Sequence, residues 1–150
     1  KYNKVTGVRE FVAQKITKDI DQVKGVAKVI KNENLDIVVL QEVEGKLAVN
    51  LFNKKYLDDA YEVFVLPGND TRGIDIGYLV KKDLPFKIKS NSHRDQKWTS
   101  TTTNKEENIF SRDLPGLNIW SKNSDAQNSP DFVILGNHLK SQRDRSQDPK

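Results

Sequence analysis

Cysteine and methionine are both absent from the 150-residue chain. Without cysteine there is no disulfide framework, no cysteine–zinc site and no thiol nucleophile, while the compartment stays open. Without methionine the chain has no initiator residue, as expected of a processed form or an excised piece. No hydrophobic run reaches membrane-spanning length, and the opening residues carry no signal-peptide pattern. A soluble protein without a transmembrane segment is therefore expected. Net charge is only +4. That suits a phosphate-bearing substrate, although a mild lysine excess is also ordinary surface composition. What remains is 35% hydrophobic and 31% charged, enough for one α/β domain with one substantial core. No internal repeat is present.

The stretch Leu35-Asp36-Ile37-Val38-Val39-Leu40-Gln41-Glu42-Val43-Glu44-Gly45 organises the rest. Its aliphatic, β-branched run from Ile37 to Leu40 predicts a strand buried on both faces. Gln41 and Glu42 then stand at the strand's carboxyl end, where open α/β sheets gather ligand-binding groups. Before it, Val8, Phe11, Val12, Ile16, Ile20, Val23, Val26, Ala27 and Ile30 recur in steps of three and four. This spacing predicts one amphipathic helix, or two in tandem, between Val8 and Asn34, with Gly25 and Asn32-Glu33-Asn34 as weak points or stops. Residues 1–7 form a polar entry segment.

After Glu42, Lys46 to Tyr56 has helical spacing. Strands are predicted at Tyr61–Leu66, ended by the turn Pro67-Gly68-Asn69-Asp70, and at Ile74–Val80. Phe86–Lys89 is a short strand candidate, and residues 90–108 read as a mobile loop with one edge strand near Trp98. Leu117–Trp120 is a further strand, Asn123–Asp131 a hairpin loop, and Phe132–His138 a last buried strand. The tail from Ser141 to Lys150 is charged and cannot pack a core.

Strand direction offers a test of which groups meet. Glu42 and His138 each stand at a strand exit, and Asp75 at a strand entrance. If the Asp75 strand runs antiparallel to the His138 strand, the three share one edge. Arg112, preceding the Leu117 strand, reaches the same edge by the same rule. Such a set suits phosphoester hydrolysis. Glu42 would bind a hard cation such as magnesium, which favours carboxylate oxygen and retains waters and which offsets charge on phosphoryl oxygens. His138 supplies an imidazole, the side-chain type that can accept or donate a proton around neutral pH. Asp75, within hydrogen-bond reach, would fix its tautomer. Arg112 offers a planar fork to a phosphate. Each residue also has a structural reading: Asp75 as a turn cap, His138 as a partner for a backbone group, Arg112 as the partner of Asp113 or another acid.

Four segments in order resemble successive motifs of the endonuclease/exonuclease/phosphatase superfamily: Asp36–Glu44, Arg72–Leu79, Phe110-Ser111-Arg112 and Asn137–Ser141. The resemblance runs from about Lys1 to Ser141. It implies a deoxyribonuclease-I-like layered β-sandwich with flanking helices, present here mostly as its first sheet and helices, with mixed parallel and antiparallel strands. It further implies a divalent-metal-dependent phosphoester hydrolase (nuclease, phosphodiesterase or phosphatase) using Mg2+ or another divalent cation such as Mn2+ or Ca2+. Its substrate would be a phosphate ester, with nucleic acid among the candidates. By resemblance Glu42 is the metal ligand, His138 a catalytic histidine, Asp75 its acidic partner and Arg112 a phosphate contact.

The chain also departs from that pattern. The family's first strand, carrying an active-site asparagine, has no counterpart before Tyr2, and Asn3 is a poor substitute. The later Gly-Asp-x-Asn and Ser-Asp-His motifs are missing. Residues 1–150 are thus expected to be the N-terminal part of such a domain, and a chain ending at Lys150 would hydrolyse little. Such a half-built sheet would expose apolar surface and self-associate. The competing expectation is a non-catalytic α/β binding or interaction module that keeps the scaffold.

Overall fold

A run of apolar residues forms the centre of the molecule. Asp75–Lys81 is β3, buried along its whole length except at Lys81. In the computed structural model, which describes residues 19–124 and 129–139, β3 is flanked on both sides. β1 (Ile37–Val43) and β2 (Tyr61–Val65) pair with it antiparallel, giving the order β1-β3-β2. A strand hydrogen-bonded on both edges and covered on both faces has no polar side, which is why Ile76 to Val80 reads as continuous hydrophobicity.

Two helices cover one face of this sheet. α1 (Ile20–Asn32) starts at Asp19, whose carboxylate accepts a hydrogen bond from the Asp21 N–H at 3.0 Å. It buries Ala27 and Ile30. Gly25 lies within the helix and stops nothing, and the chain turns instead at Asn34, in the left-handed region. The expected helical stretch between Val8 and Lys18, the entry segment with Asn3, and the tail lie outside the described residues. α2 (Lys46–Tyr56) matches its expected span. Both helices pack with Val63, Val65 and Leu79 in one cluster.

The other face of β3 meets a second sheet, β4 (Phe86–Asn91), β7 (Gly116–Ser121) and β8 (Phe132–Leu135), in the order β4-β7-β8. Tyr78 and Val80 from β3 pack with Leu117 and Ile119 from β7. The Tyr78 hydroxyl donates to the Pro115 carbonyl at 2.6 Å across this junction. Burial pushes that hydroxyl up to about 12, so it stays a donor.

Several expectations are corrected here. Every strand pair among the described residues is antiparallel, so the sheets are not mixed, and more than a first sheet is present. Among the described residues β1 pairs with β3 alone and lies at the sheet edge, half-buried rather than buried on both faces. β8 is also an edge strand, shorter than Phe132–His138 and largely exposed at Phe132, Val133 and Leu135. The edge strand expected near Trp98 is β5 (Lys97–Thr99), but it pairs with a further strand, β6 (Glu106–Asn108), as a separate ribbon, and β4 runs on to Asn91, so residues 90–108 hold more strand than expected. β6 left no sequence signal because its three residues are polar and exposed, with no alternation to read.

Replacing Tyr78 by Phe removes one of two donors to the Pro115 carbonyl, which keeps the Gly136 N–H at 3.0 Å. The expected cost is that of one hydrogen bond, about 0.5–1.5 kcal/mol, measured as a lower urea midpoint at unchanged m-value.

Candidate functional site

One rim of the molecule collects the polar groups, and the backbone explains how each arrives. In the β1–β3 ladder Leu40 faces Gly77 while Val43 faces Asp75. β1 therefore carries one more residue than its partner in that interval, a β-bulge. Glu42 sits in the bulge with φ +58°. A left-handed backbone at a non-glycine residue costs on the order of 1–3 kcal/mol and clusters at functional positions. Its side chain is 59% exposed.

His138 arrives from the other sheet. β8 ends at Leu135, and Gly136 then passes directly over the start of β3. A Cβ built on Gly136 would lie 2.6 Å from the Tyr78 hydroxyl and 2.8 Å from Ile76 Cγ2, so only glycine lets the chain cross so closely. The Gln41 amide donates to the Asn137 carbonyl at 3.0 Å, tying the two strand exits together. His138 Nε2 lies 3.9 Å from Glu42 Oε1. The Asp75 and His138 strands therefore meet by packing of two sheets, and the same-sheet pairing considered from the sequence does not occur.

Arg112 joins them. Its side chain is 11% exposed. Nη1 donates to the carbonyls of His138 (3.1 Å) and Leu139 (3.4 Å), and Nε donates to Asp70 Oδ2 at 3.3 Å. Nη2 stands 3.9 Å from the same Glu42 oxygen that faces His138. Arg112 pairs with Asp70 and not with Asp113, which instead accepts from Ser92 Oγ and the His93 N–H.

Asp75 departs from its expected place. Its Oδ1 accepts the Gly68 N–H at 2.9 Å, fastening the turn before β3, and it makes no hydrogen bond to His138. His138 Nδ1 is buried and has no partner among the described residues. The turn-cap reading of Asp75 is the one this geometry displays.

Asp70 was read from the sequence only as part of a turn signal, yet it holds two cations. Besides Arg112 it accepts from Arg72 through Nε (3.0 Å), Nη2 (2.7 Å) and the backbone N–H (2.9 Å). Its carboxylate is 10% exposed, and the hydrogen bonds from Arg72, then those from Arg112, hold it well below the ordinary carboxylate range. The Asn69 side chain secures the same turn by donating to the carbonyls of Arg94 and Phe110. The available signal was the Asn-Asp-x-Arg spacing, in which an aspartate two residues before an arginine can close a local ring of hydrogen bonds.

The donor set fits a hard cation in a limited way. No group of three or more His, Asp or Glu side chains converges among the described residues, and Asp70 is occupied by arginines. Glu42 is an exposed carboxylate facing Arg112 and His138, which matches a hydrated magnesium ion held by a single protein oxygen. Beside it lies a small cleft between the 109–113 and 137–139 segments. A larger depression of about 270 Å³, lined by Lys24, Lys28, Lys31 and Tyr56 on the helical layer, has no carboxylate or imidazole in its lining and lacks this chemistry. Compared with protein family models, curated proteins and solved structures, the chain matches none.

Asp70→Asn tests the clamp. A carboxylate whose folded pKa is depressed stabilises above its unfolded value of about 3.9, and that contribution is lost as pH falls below it. The variant is expected to lose about 1.5–3 kcal/mol at pH 7, with the gap to wild type closing below pH ~4 in urea titrations across pH.

Proposed function

We propose that this chain carries part of a divalent-metal-dependent phosphoester hydrolase of the endonuclease/exonuclease/phosphatase type. The observation that carries the reading is the convergence of Glu42, Arg112 and His138 from three separate segments. One carboxylate oxygen lies 3.9 Å from both the guanidinium and the imidazole. Each distance exceeds a hydrogen bond, so the three groups face a common space instead of neutralising one another in contact.

In this reading Glu42 supplies the oxygen for a magnesium or similar cation, and such an ion offsets charge on a phosphoryl group. The chain's own residues do the rest. Arg112 Nη2 presents fixed positive charge towards the phosphate. His138 Nε2 faces the rim and holds or moves a proton there. Asp75 acts on His138 only indirectly, by fixing the Gly68 turn behind Arg112: the Arg112 carbonyl lies 3.1 Å from where a Gly68 Cβ would stand.

A second reading, a non-catalytic α/β interaction module, draws on the exposed apolar residues of β8 and on Leu139. Rates separate the two. Full-length protein is expected to hydrolyse a generic phosphodiester with magnesium, and Glu42→Ala to lose on the order of 100-fold or more, corresponding to several kcal/mol of charge stabilisation. Equal rates in the two proteins remove the metal assignment. Absence of hydrolysis in the wild type favours the interaction module.

A further inference from the structure

The two helices that cover the first sheet carry a surplus of positive charge. α1 and α2 contain six lysines (Lys24, Lys28, Lys31, Lys46, Lys54 and Lys55) and one acid, Asp21. Their surplus of five exceeds the net charge of the whole chain, +4. Lys24, Lys28 and Lys31 recur in steps of four and three, so they share one side of α1. Together with Tyr56 of α2 they line the depression of about 270 Å³. Lys55 Nζ lies 5.5 Å from the centre of the Tyr56 ring and continues the patch onto α2. Lys24 pairs with Asp21 at 3.3 Å and Lys31 with Asp58 at 2.8 Å, both between exposed side chains, where such a pair is weak and readily exchanged for another anion. Asp59, near Lys54, is held by Lys82.

Beside these lysines α2 exposes two leucines. Leu47, Leu51, Lys54 and Lys55 follow at helical spacing and share one face, while Val49 and Asn53 are the residues the helix buries. Leu47 is 66% exposed and Leu51 59%, so both protrude from the helical layer and line no cavity. We propose that this outer face of α1 and α2 docks on an anionic phospholipid bilayer. The lysines meet the headgroups, and Leu47 and Leu51 enter the boundary between headgroups and acyl chains. The inference is independent of the hydrolase reading, and no residue of the Glu42–Arg112–His138 rim takes part in it.

Charge complementarity calls for an acidic partner, and the leucines choose among acidic partners. Nucleic acid is gripped by cations and by aromatic stacking, to which two protruding leucines add nothing. An acidic peptide helix needs a hydrophobic groove to receive its apolar side chains, whereas the apolar groups here stand outward. A bilayer accepts both features at once, anionic at its surface and deformable just beneath it. With 13 and 11 residues, the helices fall short of the roughly 20 needed to cross the hydrocarbon core. The docking is therefore peripheral and reversible.

The test measures co-sedimentation of the full-length protein with vesicles of phosphatidylcholine alone and with added phosphatidylserine, across a salt series. It compares wild type with Lys28→Glu/Lys54→Glu and with Leu47→Ser/Leu51→Ser, whose urea midpoints report whether the fold is kept. Because the chain has no cysteine, Leu51→Cys carries a single polarity-sensitive fluorophore as a second readout. Wild type is expected to bind the phosphatidylserine vesicles and to be released by salt. Each double variant is expected to bind about tenfold more weakly, with the serine variant retaining the salt dependence. The fluorophore at position 51 is expected to shift to the blue on those vesicles. Absence of binding, or equal binding to both vesicle types, overturns the inference. So does an unshifted fluorophore, or a serine variant that binds as wild type does. Binding to a DNA duplex but not to vesicles, weakened in the glutamate variant, assigns the face to nucleic acid and overturns it. Self-association without vesicles that the serine variant abolishes assigns the face to a second copy and likewise overturns it.

Discussion

The half-buried Arg112–Asp70 pair is the contact on which the rim depends. Arg112 lies in the loop before β7, Asp70 in the turn before β3, and the carbonyls that Arg112 also binds follow β8. One guanidinium thus joins three segments from both sheets. Its planar fork explains why arginine is used, since a lysine ammonium could not hold those directions at once. A poorly solvated ion pair of this kind is weak evidence for stability, because desolvation offsets much of the attraction. Its effect is positional: it fixes where the His138 backbone lies relative to Glu42.

Two further constraints act on the same place. The β-bulge in β1 turns Glu42 out of the ladder at the expense of a left-handed backbone. Gly136 lets the β8 exit cross the Tyr78 hydroxyl, which is itself held by Pro115. Both adjoin the hydrophobic clusters, since Val43 packs on the first and Tyr78 belongs to the second. Local strain and close approach where carboxylate, imidazole and guanidinium meet are what a site built for a ligand requires.

Much of this was legible in the sequence, for physical reasons that differ by element. β3 and α2 announce themselves through long apolar patterns, and their spans follow. Glu42, Arg112 and His138 could be placed near one another because strand exits and entrances alternate along a sheet edge. The route was different, however, since β3 and β8 belong to separate sheets and meet by packing. Edge strands misled: Ile37–Leu40 and Phe132–Leu135 are apolar enough to read as buried, yet each has one paired neighbour. Whether a strand is central or at an edge is a property of pairing partners, and a local apolar run does not encode it. Asp75 was assigned to His138 from a shared sheet edge and by resemblance, whereas its carboxylate accepts the Gly68 N–H. Asp70 was missed because a turn signal and an ion-pair clamp share the same residues.

His138 gives the most direct measurement. The chain has two histidines, and His93 serves as an internal reference, since Nδ1 lies 2.6 Å from the Leu114 carbonyl and Nε2 3.2 Å from the Asn91 amide. Imidazole 15N spectra of the full-length protein, assigned with His138→Gln, would be recorded while magnesium and dimethyl phosphate are added together. The account predicts that the His138 Nε2 resonance moves saturably while His93 stays in place, and that Glu42→Gln abolishes the movement. A His138 resonance that does not respond, or one that responds equally in Glu42→Gln, would contradict the claim that this imidazole and this carboxylate face one phosphate.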